Sequence, residues 1–151
     1  MRKNIVVFIF TFLFFSQSYS QCNDELVELC RKNIGEATYL KTFRIMLKKQ
    51  KKGKPMPIAR FVVKLNKGSI YLFNVSNDIA NKTPAIIRLS DDCKIYGESF
   101  DSEKKLNYGG FEFYCKKTQT YYISAFFLNG NKGCAVAMLS LVGIYDTNEF
   151  Y

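Results

Sequence analysis

Residues 107–143 read NYGGFEFYCKKTQTYYISAFFLNGNKGCAVAMLSLVG, the densest apolar and aromatic sequence outside the N-terminus. Short apolar and aromatic runs predict three strands, and the polar stretches 116–120 and 129–133 predict the turns between them. Residues 121–128 are almost entirely apolar, which is typical of a central strand covered on both faces. We therefore expect the remaining chain to pack around these three strands.

Five more strands are predicted upstream, at residues 39–47, 59–65, 69–75, 85–89 and 93–99. Asn66-Lys67-Gly68 predicts a hairpin turn between the second and third of them, since Gly readily adopts a left-handed conformation. The first of them also fits a helix, but its alternating aromatic and β-branched positions favour a strand. About eight strands without intervening helices predict an all-β fold, an antiparallel, jelly-roll-like β-sandwich.

The N-terminal residues 1–20 have the features of a secretory signal. A basic pair precedes the apolar run 5–15, and small residues stand at the −3 and −1 positions before Gln21. The run is short for a membrane span, and the large polar Gln21 argues against lipidation of Cys22. We expect an exported protein, periplasmic or extracellular, with residues 21–151 as a single domain.

Residues 23–34 predict a short N-terminal helix. Asn23 can cap it, acidic residues occupy its first turn, basic residues occupy its last turn, and Gly35 can end it. We expect this helix to cover one end of the sheet core.

The chain is basic, with a formal net charge of +9 that would fall to 9 − 2 = +7 on loss of the two basic residues in 1–20. Five lysines are concentrated in the predicted loop 48–57, namely Lys48, Lys49, Lys51, Lys52 and Lys54. They indicate either contact with an anionic surface or a solvated loop beside an edge strand. Because no aromatic residue or arginine interrupts them, a nucleic-acid partner is not expected.

The cysteine and histidine content of the chain limits the kinds of catalytic site, metal site and disulfide that it can form. The chain has no His, which excludes Ser-His-Asp and Cys-His catalysis and every His-containing metal site. Its five cysteines are Cys22, Cys30, Cys93, Cys115 and Cys134. Export favours disulfides, and an odd number leaves one thiol free or paired between chains. Two bridges among five cysteines allow fifteen arrangements, and the sequence does not select one.

Four groups of residues, in chain order, carry a resemblance to a known family: 60–68 with 71–73, 86–91, 111–113, and 118–124 with 133–136. They resemble the bacterial pre-peptidase C-terminal type of domain, a jelly-roll β-sandwich attached to secreted peptidases and other exported proteins. That family has a Leu-x-x-Gly turn, an Asp turn after a short apolar strand, and a Thr-Gly-x-Tyr-Tyr segment, where this chain has Gln119 instead of Gly. The resemblance implies a non-catalytic accessory or binding role and supplies no catalytic residue or cofactor.

Four tyrosines are candidate binding residues for a protein or glycan ligand: Tyr108, Tyr114, Tyr121 and Tyr122. Aromatic rings can line a sugar- or peptide-binding face, although tyrosines also commonly pave a sandwich surface. Asp91 and Asp92 are a weak calcium candidate, because calcium requires six or more oxygen ligands. Adjacent carboxylates in a polar segment are more often turn formers.

Three functions remain open from the sequence. The first is a non-enzymatic, exported binding or accessory module. The second is a hydrolase with a carboxylate pair, whose candidates are Asp91 with Asp92, Glu98 with Asp101, and Glu112. The third is a redox or assembly protein that uses the odd cysteine, which an exposed thiol beside Lys or Arg would favour. We favour the first.

Overall fold

The computed structural model describes residues 22, 24–78, 80–81 and 83–145, which form one short α-helix, ten strands and a single 3-10 turn at Leu128–Gly130. The helix is α1 (Asp24–Lys32). The strands are β1 (Thr38–Leu47), β2 (Ala59–Leu65), β3 (Ser69–Asn77), β4 (Ala85–Ser90), β5 (Ile95–Glu98), β6 (Phe100–Asp101), β7 (Leu106–Asn107), β8 (Gly110–Tyr114), β9 (Gln119–Phe127) and β10 (Gly133–Ile144). The strand predicted at 39–47 is confirmed. The predicted signal, residues 1–20, and the helix cap Asn23 lie outside the described residues.

The eight longer strands form two antiparallel sheets. One sheet has the order β1-β10-β3-β8, and the other has the order β2-β9-β4-β5. The pairs are nested, because β1 pairs with β10, β2 with β9, β3 with β8 and β4 with β5. A long hairpin rolled up in this way is a jelly roll. The predicted all-β, jelly-roll-like sandwich is therefore confirmed, and β6 and β7 add a two-stranded ribbon between β5 and β8.

The main core fills the space between the two sheets. Its largest fully buried side chains include Phe73 of β3 and Tyr121 and Phe127 of β9. The Phe73 ring stacks on that of Phe111, with centroids 5.4 Å apart. Burial of each large apolar side chain contributes roughly 1.5–3 kcal/mol to stability. As predicted for residues 121–128, β9 lies in the middle of its sheet and is buried over most of its length.

Helix α1 lies on the outer face of the β1-β10-β3-β8 sheet, so the prediction that it covers one end of the core is wrong. Leu26 and Cys30 pack on Val136 and Met138 of β10, in a second apolar cluster. Strand β10 is apolar on both faces, since Ala135, Ala137 and Leu139 face the main core. The amphipathic helix is what covers the other face.

The predicted hairpin between β2 and β3 is also wrong. The two strands belong to different sheets, and Gly68, with φ of 83°, lies at the turn where the chain crosses between them. The Gly68 amide donates to the Cys115 carbonyl at 2.8 Å. Both strands present large apolar residues to the core, so they stabilise the fold best by facing each other across it. For the same reason β8, β9 and β10 alternate between the sheets.

Because the strands are antiparallel, their connections cluster at two ends of the sandwich. We call the end that holds the β1–β2, β3–β4, β5–β8 and β9–β10 connections the loop end. The tight connections β2–β3, β4–β5 and β8–β9 lie at the opposite end, which we call the turn end. Candidate binding residues are distributed over both ends.

Candidate functional site

The five lysines of the β1–β2 connection, Lys48, Lys49, Lys51, Lys52 and Lys54, are all exposed at the loop end. Gln50 holds the segment in place, because its backbone N–H donates to the Gly130 carbonyl at 2.8 Å and its side-chain amide donates to the Lys54 carbonyl at 2.7 Å. None of the five lysines forms an ion pair with a described residue. The connection therefore presents uncompensated positive charge on a fixed backbone.

Gly130 explains why the lysine connection lies so close to the β9–β10 connection. Its φ of 66° is left-handed, and a Cβ at this position would collide with the Oε1 atom of Gln50. Glycine is thus required both by the backbone conformation and by the close approach of Gln50. This contact joins two of the four loop-end connections.

A cavity of about 390 Å³ lies beside the lysine connection at the loop end. Its described lining residues come from three connections and are Lys49, Ala80, Asn81, Thr83, Asn131 and Lys132. The Asn81 side-chain amide donates to the Cys134 carbonyl, which fixes one wall of the cavity. Two ammonium groups with amide and hydroxyl side chains, and no aromatic ring among these residues, suit a ligand with anionic and hydroxyl groups.

The structure does not bring the four candidate tyrosines onto one face. Tyr121 is only 1% exposed, in the core between the sheets, and its hydroxyl donates to the Lys117 carbonyl at 2.9 Å. Burial, together with a hydrogen bond to the Cys115 thiol, raises the pKa of Tyr121. Tyr114 and Tyr122 lie on the outer faces of opposite sheets, since their chain neighbours Phe113 and Tyr121 face the core. The expected tyrosine face is therefore not formed.

Tyr108 is the most exposed of these four tyrosines, with 54% of its surface accessible. It lies in the connection that leads into β8 and borders a second cavity, together with Asn33, Asn74 and Glu112. Neither Asn33 nor Asn74 was singled out from the sequence as a binding residue. Asn74 offered one signal, a polar residue between the apolar residues Phe73 and Val75.

Asp91 is a structural residue of the turn end. Its Oδ1 accepts hydrogen bonds from the backbone amides of Cys93 and Lys94, both at 2.8 Å. Its Oδ2 accepts from the Tyr96 hydroxyl and from the Gln119 side-chain amide at 3.1 Å. These donors, the Tyr96 hydroxyl foremost, hold the pKa of Asp91 well below its usual range. The carboxylate is thus occupied by protein donors, as in a turn former.

The calcium candidate Asp91 with Asp92 gains no support from this geometry. The Asp92 side chain is exposed, and the Asp91 oxygens already accept four hydrogen bonds. Within the described part of the chain, no group of three or more His, Cys, Asp or Glu side chains that could hold a metal ion occurs. Asp91 shapes the β4–β5 turn, and Asp92 is exposed within it.

Of the other candidate carboxylates, two interact with protein groups and the third is exposed. Glu98 pairs with Arg88 through Oε2 and Nε, 2.5 Å apart. Asp101 accepts from the backbone amides of Glu103 and Lys104, which lowers its pKa. Glu112 is exposed on β8. The structure therefore shows Glu98 in an ion pair and Asp101 in a turn, and leaves Glu112 as an exposed carboxylate on β8.

The structure forms one disulfide, Cys22–Cys134, where the sequence had suggested two bridges. Cys30 is buried on the face of α1 that packs on β10, and burial raises the pKa of its thiol. Cys115 is buried in the main core, and Cys93 is exposed at the turn end. The three thiols thus occupy separate environments, which explains why no second bridge is present among the described residues.

Cys93 meets part of the condition for a reactive thiol, since it is exposed and precedes Lys94 in the chain. The Lys94 ammonium lies 4.7 Å from the centroid of the Tyr96 ring. This cation–π contact directs the positive charge towards the ring. The geometry therefore favours a redox role less than the sequence alone did.

Comparisons of the chain with protein-family models, with curated proteins and with solved structures return no match. The resemblance to pre-peptidase C-terminal domains therefore stays a prediction, and the jelly-roll topology rests on the strand pairing itself. Among the described residues, no helix has the length and apolar character needed to cross a membrane.

Proposed function

We propose that this protein is an exported, non-catalytic jelly-roll module that binds an acidic saccharide at its loop end. One observation carries the proposal. Five exposed lysines lie on a connection that Gln50 fixes beside a polar cavity, and Lys49 lines that cavity together with Lys132. The basic N-terminal pair, the apolar run 5–15 and the disulfide support the exported location.

The physical argument separates attraction from recognition. Each lysine near a dense anionic surface contributes up to about 1 kcal/mol, and physiological salt screens such charges beyond about 8 Å. The Asn and Thr side chains of the cavity can exchange hydrogen bonds with hydroxyl groups. The lysine charges therefore attract an acidic saccharide, while the hydrogen-bonding groups of the cavity favour it over a flat anionic surface.

The two other functions are less well supported by the same contacts. A carboxylate-dependent hydrolase needs a pair of carboxylates that is free to reach substrate, whereas Asp91, Glu98 and Asp101 accept hydrogen bonds from protein groups. A redox role needs an activated thiol, whereas the ammonium next to Cys93 in sequence contacts the Tyr96 ring.

The test is the affinity for alginate, an anionic polyuronate, with the neutral polymer dextran as the ligand control. A variant with Gln at Lys48, Lys49, Lys51, Lys52 and Lys54 should bind alginate about 60-fold more weakly. This estimate takes half of the maximum of about 1 kcal/mol per lysine, with 1.4 kcal/mol as a factor of ten. Neither the parent protein nor the variant should bind dextran.

The matched control removes the same charge elsewhere. It carries Gln at five exposed lysines outside the loop end: Lys32, Lys64, Lys67, Lys116 and Lys117. Alginate affinity should fall less than about threefold in this variant at physiological salt, because these charges are screened from the loop end. Equal losses in the two variants would show that net charge alone acts, and would refute a site at the loop end.

A further inference from the structure

We propose that the acidic saccharide crosses the loop end as an extended chain, and that another cavity, lined by Lys105 and Phe100 of the β6–β7 ribbon, binds a further uronate residue of it. The inference rests on the proposed function, because it takes the same polymer as its ligand. We call this cavity the ribbon cavity, and the one beside the lysine connection the lysine cavity. The ribbon cavity has a volume of about 530 Å³, within the range of small-molecule sites. Every residue that lines it is exposed or half-buried, so a ligand can reach their side chains.

The two cavities share a wall formed by the β3–β4 and β9–β10 connections. Thr83 lines the lysine cavity, and the next residue, Pro84, lines the ribbon cavity. Asn131 and Asn129 divide between the two cavities in the same way. The Leu128 amide donates to the Pro84 carbonyl at 3.2 Å, which joins the two connections. Because Asn129 and Asn131 are two residues apart, their Cα atoms lie within about 7 Å of each other. A single saccharide chain can therefore cross the wall and occupy both cavities.

Lys105 occupies a backbone position that favours glycine. Its φ of 52° is left-handed, at the end of the turn between β6 and β7. A residue with a Cβ is strained in this conformation, whereas glycine is not. The turn itself is held by Asp101, whose Oδ1 accepts from the Glu103 and Lys104 amides, both at 3.0 Å. The turn therefore does not require the Lys105 side chain, and this points to a role for that side chain in the cavity.

The lining of the ribbon cavity combines one cation with an apolar surface and amide groups. The Lys105 ammonium forms no ion pair with a described residue, and Phe100 supplies an aromatic ring. Asn107 and Asn129 supply the amides. The Asn107 Oδ1 accepts from the Gly109 amide at 3.1 Å, which leaves its Nδ2 group to donate to a ligand. A uronate residue has a carboxylate, hydroxyls and an apolar C–H face, so it matches this combination.

Uncompensated positive charge lies on both sides of the shared wall. Lys49 and Lys132 line the lysine cavity, Lys105 lines the ribbon cavity, and none of the three pairs with a described carboxylate. A polyuronate carries a carboxylate on every residue, so a chain that crosses the wall places carboxylates near both groups of lysines. The loop end should therefore bind a long acidic chain more tightly than a short one.

The test is titration calorimetry of the full-length chain with the dimer and the hexamer of mannuronate, a uronate of alginate. The hexamer should bind at least about tenfold more tightly than the dimer, which should occupy the lysine cavity with its two ammonium groups. Lys105→Gln should weaken hexamer binding about fivefold, the equivalent of about 1 kcal/mol for one lysine, and leave dimer binding within about twofold. Lys104→Gln is the matched control, because it removes the same charge from a side chain that pairs with Asp101. It should change hexamer binding less than about twofold.

Lys105→Gly separates binding from folding. Glycine removes the left-handed strain, so the Tm should equal or exceed that of the parent protein, while hexamer affinity falls about fivefold. In NMR spectra of the parent protein, the hexamer should shift the backbone amides of Lys105, Asn107 and Asn129, and the dimer should not.

Failure of this inference is distinct from failure of the proposed function. If neither oligomer binds the parent protein, the proposed function is refuted and the second subsite with it. If the hexamer binds and the Gln variant of the five-lysine connection weakens it, the proposed function stands. Equal hexamer affinities of Lys105→Gln and Lys104→Gln, or equal affinities of the parent protein for the two oligomers, would then overturn the ribbon cavity as a subsite.

Discussion

The Cys22–Cys134 disulfide should contribute a large part of the stability of this domain. It joins residues 112 positions apart, linking the segment before α1 to the start of β10. On the loop-entropy relation, a closed loop of this length lowers the entropy of the unfolded chain by about 16 cal/mol/K, or about 4.8 kcal/mol at 25 °C. Removal of native bridges from small secreted domains typically costs about 2–5 kcal/mol. We therefore expect a loss close to 4 kcal/mol.

The perturbation is the double variant Cys22→Ser with Cys134→Ser, and the assay is thermal unfolding followed by circular dichroism. A domain of this size loses about 4 °C in Tm per kcal/mol, so the midpoint should fall by about 15 °C. Cys93→Ser is the matched control, because it removes an exposed thiol that forms no bridge, and its Tm should stay within about 2 °C of the parent value.

One result would refute the reasoning. If the double variant keeps its Tm within about 5 °C of the parent value while α1 alone loses protection from hydrogen exchange, the bridge only tethers the helix. The closed loop would then have no measurable effect on the unfolding of the sandwich. Urea unfolding gives an independent value, because the midpoint should fall with the slope unchanged if stability alone has changed.

Two further predictions concern the turn end and the loop end. Asp91→Asn should lower the urea midpoint at pH 7 and flatten its fall towards pH 3. Because the pKa of Asp91 is depressed in the folded state, its carboxylate stabilises the fold above the usual Asp pKa, and this stabilisation is lost as the pH falls below that value. Asp92→Asn, at an exposed residue, is the control. The same acid response in both variants would contradict the role given to Asp91. Gly130→Ala should reduce alginate affinity about tenfold, because the new Cβ displaces Gln50. Its Tm should fall by no more than about 5 °C, because a Cβ at a left-handed φ costs roughly 1 kcal/mol. Gly143→Ala, with open space around its Cβ, should change neither quantity, and unaltered alginate binding in Gly130→Ala would disconnect Gln50 from the site.

The elements were largely predictable from the sequence, but their partners were not. The periodicity of residues 59–65 and 69–75 identified two strands, and alternate residues of both strands face the core. A Gly-containing turn does not show whether the next strand returns beside the first or crosses the core, because both arrangements bury the same side chains. That choice depends on β9 and β8, which pair with these strands from 36 or more residues away in the chain.

A candidate site was predictable when its residues are neighbours in the sequence. It was not predictable when they come from distant segments that the fold brings together. The lysine connection is visible as a run of charge, and the exposure of its side chains follows from that. The Tyr108 cavity requires Asn33, Asn74 and Tyr108, which come from three parts of the chain and meet only because Gly110 lets β8 lie against β3. The sequence therefore suggested that the four tyrosines share a binding face, whereas strand pairing and burial place them on different parts of the domain.

The nested strand order also dictates when the domain can fold. Strand β10 is the last of the described strands, yet it lies between β1 and β3 at the centre of its sheet, with Thr38 opposite Leu141. Until β10 is present, β1 and β3 have no common partner, and α1 lacks the Val136 and Met138 side chains on which it packs. Pairings of such long sequence separation form slowly, with relaxation times in the range of milliseconds to seconds. The sandwich can therefore form only once β10 has been synthesised, and a truncation that removes β10 should leave β1 unpaired and the β3–β8 pair with an exposed edge, prone to aggregation.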